Sequence, residues 1–127
     1  IAERASTLSL HTGFVVPETV ERMAQLSVCM VRDALDALVQ SDVSIAQEVC
    51  QRDDEVDALN REVINEMRHV MRTQPELIEA ALSVFSASRH VERIADHATN
   101  IAEDVIYLVD GEIARHKHDL ETVDITN

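Results

Sequence analysis

"RHVERIADHATNIAEDV", residues 89–105, carries two patterns at once. Val91, Ala98 and Val105 recur every seven residues, a spacing that keeps one face of a helix turned toward a neighbour. Carboxylates run beside that line. With Val91 as reference, periodicity puts Thr99 at about 80°, Glu92 at about 100°, Glu103 at about 120° and Asp96 at about 140° round the helix. Ile78, Phe85 and Ile106 share the band. The strip is apolar at both ends and acidic in the middle, as on a helix that presents charge along the edge of a packed contact.

The heptad line extends back through Val84 to Leu77, which predicts a helix over 74–110. Thr73 and Glu76 stand at capping-box spacing around Pro75, and Gly111 supplies the expected stop. Ala81, Ser88, Ala95 and Ala102 flank the line and let another helix approach closely. Upstream, Val49, Val56, Val63 and Val70 repeat the interval of seven, with Leu59 and Met67 between them, for a second helix over 43–72. A first helix over 17–40 opens at Pro17, a residue suited to a first turn. Its core face reads as Val20, Met23, Met30, Val31, Ala34 and Leu38, widened by Leu26, Leu35 and Val39. "SDVS" provides a turn, with a cap at Ser41 or Asp42.

Connections this short force successive helices to run antiparallel. The expected fold is all-α, an up-down-up three-helix bundle over residues 17–111, followed by a C-terminal tail over 112–127. Residues 1–16 read as the remnant of a preceding helix and a linker, because "IAERA" at 1–5 echoes "IAEDV" at 101–105.

Composition agrees. The 127 residues suit one domain, and two Gly, two Pro, no Trp and 2% aromatics imply an aliphatic helical core. A net charge of −13, with Lys117 the single lysine, repels nucleic acid and anionic membranes and favours basic protein surfaces or cations. Cys29 and Cys50 lack metal-finger or redox spacing and read as buried thiols. With no signal peptide and no long apolar run, a cytoplasmic protein is expected.

The second helix repeats the acidic design, with Asp53 and Asp57 beside its valine line and Asn60 close by, on a band shared with Cys50 and Ile64. Two carboxylates four residues apart lie on one face, about 6 Å apart at the backbone, and repel unless something neutralises them. Oxygen donors on facing helices suit hard or borderline cations such as Mg²⁺, Mn²⁺ or Fe. The bland alternative is a solvated charged strip balanced by Arg52, Arg89 and Arg93, and 24 acidic residues produce such pairs by chance. Periodicity leaves both open. Glu66 and His69 form one Glu-x-x-His unit where a di-iron bundle needs two, and they face away from Asp53 and Asp57. His116 and His118 lie in the expected tail. Without a Gly-rich phosphate loop or a nucleophile motif, no enzymatic activity is expected.

"DDEVD" at 53–57 followed by "RHVERIADHATNIAEDVIYLVDGEIARH" at 89–116 resembles the PhoU family, over about residues 17–118. The resemblance implies one of two tandem three-helix bundles, the C-terminal one. It implies that the family's acidic motif, Glu or Asp followed four residues later by Asp, falls at Asp53/Asp57 and Glu92/Asp96. In some members such motifs hold Fe, Mn, Zn or Mg. Glu103 and Asn100 are further ligand candidates, although Asn100, at about 180°, faces away from the strip. The implied role is negative regulation of the phosphate regulon, as a cytoplasmic, homodimeric adaptor that modulates phosphate uptake. It would link the ATPase subunit of the phosphate ABC transporter (PstB) to the sensor histidine kinase (PhoR). The competing reading is a carboxylate-bridged, di-iron-like metal-binding bundle.

Overall fold

The structure, a computed structural model, describes residues 16–126, with side chains placed as far as residue 118. It contains helix α1 (Glu18–Gln40), helix α2 (Val43–Thr73), a 3₁₀ turn (Pro75–Leu77) and helix α3 (Ile78–Thr126). The expectation for the described part of residues 1–16 is limited to Val16, which packs against the core; the rest lies outside the described residues.

Pro17 precedes α1 and its carbonyl accepts from the Val20 N–H at 3.0 Å, while Glu18 and Glu21 place negative charge on the positive end of the helix dipole. At the other end Ser41 adopts the left-handed conformation, φ 53°, and the Asp42 N–H reaches back to the Ala37 carbonyl at 3.0 Å. The Asp42 carboxylate then accepts from the Ile45 N–H at 3.2 Å, so one residue closes the turn and caps α2. Both of the expected turn residues are used.

The capping box at the second turn does not form. Thr73 Oγ1 donates backward to the His69 carbonyl at 2.9 Å, and Pro75 opens a 3₁₀ turn with no side-chain cap. A threonine hydroxyl still inside a helix satisfies itself on the preceding turn, which removes it from capping duty.

The three helices pack antiparallel in sequence order. Thr19 Oγ1 donates to Glu66 at 3.0 Å and Asp33 pairs with Arg52, so fourteen residues along α1 match fourteen back along α2. The core follows the heptads: Val49, Val56, Val63, Val84 and Val91 are fully enclosed, and so are Ala81, Ala95, Ala98 and Ala102. Ser27 and Ser88, the buried polar residues, satisfy their hydroxyls on the carbonyls of Val91 and Phe85.

Three expectations are corrected. On α1, Leu35, Leu38 and Val39 are exposed, and Ser27 and Ala37 take inward positions instead. This helix is apolar on more than one face, and close packing admits the smaller side chains. Cys29 is exposed and Cys50 half-buried, so neither is an enclosed thiol. Finally, α3 passes through Gly111 to Thr126 rather than stopping, and the expected tail is helical. One glycine inside a helix costs only about 1 kcal/mol, and Glu112, Ala114, Arg115 and Lys117 beyond it are good helix formers, with a Glu112–Arg115 ion pair at 3.1 Å. Residues 110–118 are exposed throughout, so this stretch of α3 is covered by neither α1 nor α2.

Candidate metal centre

The α2–α3 contact determines which predicted site residues meet. Asn60 Nδ2 donates to Glu92 Oε2 at 2.6 Å, which pins one level of the seam. Moving down α2 and up α3 by equal steps brings Asp57 level with Asp96 and Glu92, Asp53 level with Thr99 and Asp96, and Cys50 level with Glu103. The electrostatics follow from these levels. Burial, then Asp57 and Asp96, push the Asp53 carboxyl above its ordinary value, partly offset by the Thr99 hydroxyl. Burial pushes Glu92 up as well, followed by repulsion from Asp96, Asp57 and Asp53, with Arg89 opposing weakly. The Cys50 thiol is raised by burial first and then by Glu103 and Asp53.

Four of the predicted residues, Asp53, Asp57, Glu92 and Asp96, therefore form one mutually repelling group on two helices. Asp53, Asp57 and Glu92 are half-buried and Asp96 is exposed. Glu103 is exposed and joins the group at its Cys50 end, whereas Asn100 is exposed and takes no part in the contacts described above. Two oxygens in the seam, Asp53 Oδ1 and Asn60 Oδ1, are buried without a hydrogen-bond partner. A cation or a water would satisfy them. Among the described residues, however, no three His, Cys, Asp or Glu side chains converge as a ready ligand set. The donor chemistry suits a hard cation, and the carboxylates would have to draw together around it.

Arg52, one of the arginines expected to balance the strip, is taken by Asp33 of α1 and, at 3.9 Å, by Glu48. Glu66 is also committed elsewhere, to Thr19 on the α1 side of α2, which removes the lone Glu-x-x-His unit from the seam.

Residues 20–105 match the PhoU domain family. The chain belongs to the PhoU family. The crystal structure of PhoU from Pseudomonas aeruginosa superimposes with a TM-score of 0.77 and 37% sequence identity, over 87% of this chain and 53% of that one. The chain thus spans about half the length of this solved relative. No curated protein sequence matches it.

Within this PhoU bundle, one participant absent from the sequence-derived ligand set is Asn60. Periodicity placed it on the acidic band of α2, yet only the register of α2 against α3 shows that its amide reaches Glu92 and leaves its own oxygen facing the seam. No helix among the described residues is long and apolar enough to cross a membrane.

Proposed function

We propose that the chain is a PhoU-type regulator of phosphate uptake, acting as an adaptor that represses the phosphate-starvation response. The observation that carries this reading is 37% identity to PhoU from Pseudomonas aeruginosa over 87% of the chain. In this reading it contacts the ATPase subunit of the phosphate transporter and the sensor histidine kinase, through exposed faces of a bundle that offers no nucleophile motif. The family's second bundle and a homodimeric assembly belong to the same proposal.

The seam is proposed to hold a divalent or transition cation, with Asp53, Asp57, Glu92 and Asp96 as the oxygen donors and Glu103 at the edge. The cation would supply counter-charge to carboxylates that two helices press together. Support comes from the burial and mutual repulsion that push the Asp53 and Glu92 carboxyls above their ordinary values, and from the two unsatisfied buried oxygens.

The test of regulation is expression in a phosphate-limited bacterium lacking its own PhoU, read with a reporter of the starvation response. Repression restored in high phosphate supports the reading. A reporter that stays fully on with folded protein present, both from this chain and from a chain carrying both family bundles, overturns it.

A further inference from the structure

We infer that the hairpin end of the α2–α3 seam docks an acidic, amphipathic helix of a partner protein. This goes beyond the adaptor reading, which names no face, and stands without it. A hollow of about 310 Å³ opens there between α2 and α3, and one of about 380 Å³ lies beside it along α3 alone; they share Phe85 and Arg89 as a common wall. Leu82 and Arg93 border one; Ile64, Arg68 and Met71 border the other. Leu82 is 54% exposed, and Ile64, Met71 and Phe85 are half-buried, so the floor is apolar and the rim is cationic.

Charge separates this end from the remainder of the molecule. Residues 61–93 contain five arginines and five carboxylates, so the whole net charge of −13 lies outside them. Although 24 carboxylates face only 11 Lys and Arg, the exposed Arg68, Arg89 and Arg93 make no salt bridge among the described residues, in contrast to Arg52 and Arg115. The exposed Arg22, Arg32, Arg61 and Arg72 likewise make none. What sets Arg89 and Arg93 apart is their place, one helical turn from each other beside the apolar hollows.

Arg89 and Arg93 at i, i+4 match carboxylates at the same spacing on a facing helix, and a guanidinium can hold a carboxylate with two parallel bonds. An apolar side chain one turn further along that helix would meet Leu82 and Phe85. A helix laid into a groove is read by anchors at just these intervals. A free oxyanion would leave the apolar floor unused.

The test is fluorescence anisotropy of a labelled synthetic helical peptide with Glu at i and i+4 and Leu at i+7, alongside its Lys-for-Glu twin, titrated with the chain. Saturable binding of the acidic peptide alone is expected, despite the acidity of the protein. An Arg89→Gln/Arg93→Gln double variant should bind about tenfold more weakly, the loss of two exposed charge pairs. Leu82→Ser should also weaken binding, and Arg22→Gln/Arg32→Gln, which removes the same charge from α1, should not. Thermal melts confirm that each variant is folded; all five substituted side chains are exposed. The inference fails if the acidic peptide does not bind, if the Lys peptide binds equally, or if the α1 variant loses as much. It fails also if millimolar inorganic phosphate displaces the peptide while Leu82→Ser has no effect, since the site would then be a simple oxyanion site. Dimerisation abolished by the double variant would assign the surface to a second copy and equally overturn it.

Discussion

Along the groove between α2 and α3, Asp53, Asp57 and Glu92 crowd one end, while Arg68, Arg89 and Arg93 flank the other. Beneath both ends the packing is the same: Val56 and Val63 on α2, and Val84 and Val91 on α3, are enclosed without interruption. Apolar burial thus supplies no distinction between the two ends. The difference is carried by the residues one step round each helix, where Asp53, Asp57 and Glu92 are half-buried and Arg68, Arg89 and Arg93 are exposed. Asn60 sits at the junction. Its amide donates to Glu92, which lies within the field of Asp53, Asp57 and Asp96.

The largest expected effect separates the ends through metal. A cation that binds only the folded seam, at a hundred times its dissociation constant, raises stability by about 2.7 kcal/mol. Thermal melts with Mn²⁺, Fe²⁺, Zn²⁺ and Mg²⁺ should show this gain for the wild type and for Arg89→Gln/Arg93→Gln, and not for Asp57→Ala/Asp96→Ala. A gain retained in the aspartate variant would detach metal binding from the seam. The two valines come next. Val56→Ala and Val63→Ala should each cost about 2 kcal/mol in chemical denaturation, because each empties a fully enclosed site. Clearly unequal losses would show that packing, too, distinguishes the ends.

Charge removal in metal-free protein should give a smaller and opposite result. Asp57→Asn relieves repulsion on Asp53 and Glu92 and should stabilise the fold by about 0.5–1 kcal/mol, while Arg93→Gln should change it by less than about 0.5 kcal/mol. Denaturant midpoints measure both. The pH dependence has the same origin. Asp53 and Glu92 are raised above their ordinary values of 3.8 and 4.5, so the folded state binds more protons than the unfolded state between those values and the folded ones. Their contribution to stability is therefore greatest below the ordinary carboxylate range and is lost as pH rises through the raised values. A metal-free melt series upward from pH 4 should show this loss diminished in Asp57→Asn. Saturating metal should reverse the slope, because ligation requires deprotonated carboxylates.

Much of the bundle is legible in the chain because heptad spacing is a local code. The enclosed valines of α2 and α3 stand where the period places them, and the acidic band follows from the same geometry. On α1 that code is ambiguous, since Leu35, Leu38 and Val39 are as apolar as the residues that turn inward. Gly111 misleads for a related reason. A glycine ends a helix only when the backbone adopts the left-handed turn, and here α3 simply continues; it is Ser41, a residue with no such signal, that takes that conformation.

Residue types and their spacing settle that this chain is helical, where its turns fall, which faces of α2 and α3 are apolar, and that carboxylates interrupt them. All of that depends on neighbours within two turns. The register of α2 against α3 depends instead on how valines and alanines from distant segments interlock. That register alone decides that Asn60 meets Glu92 and that four carboxylates share one field. Local periodicity specifies a direction for each side chain. Only the packed bundle specifies what lies in that direction.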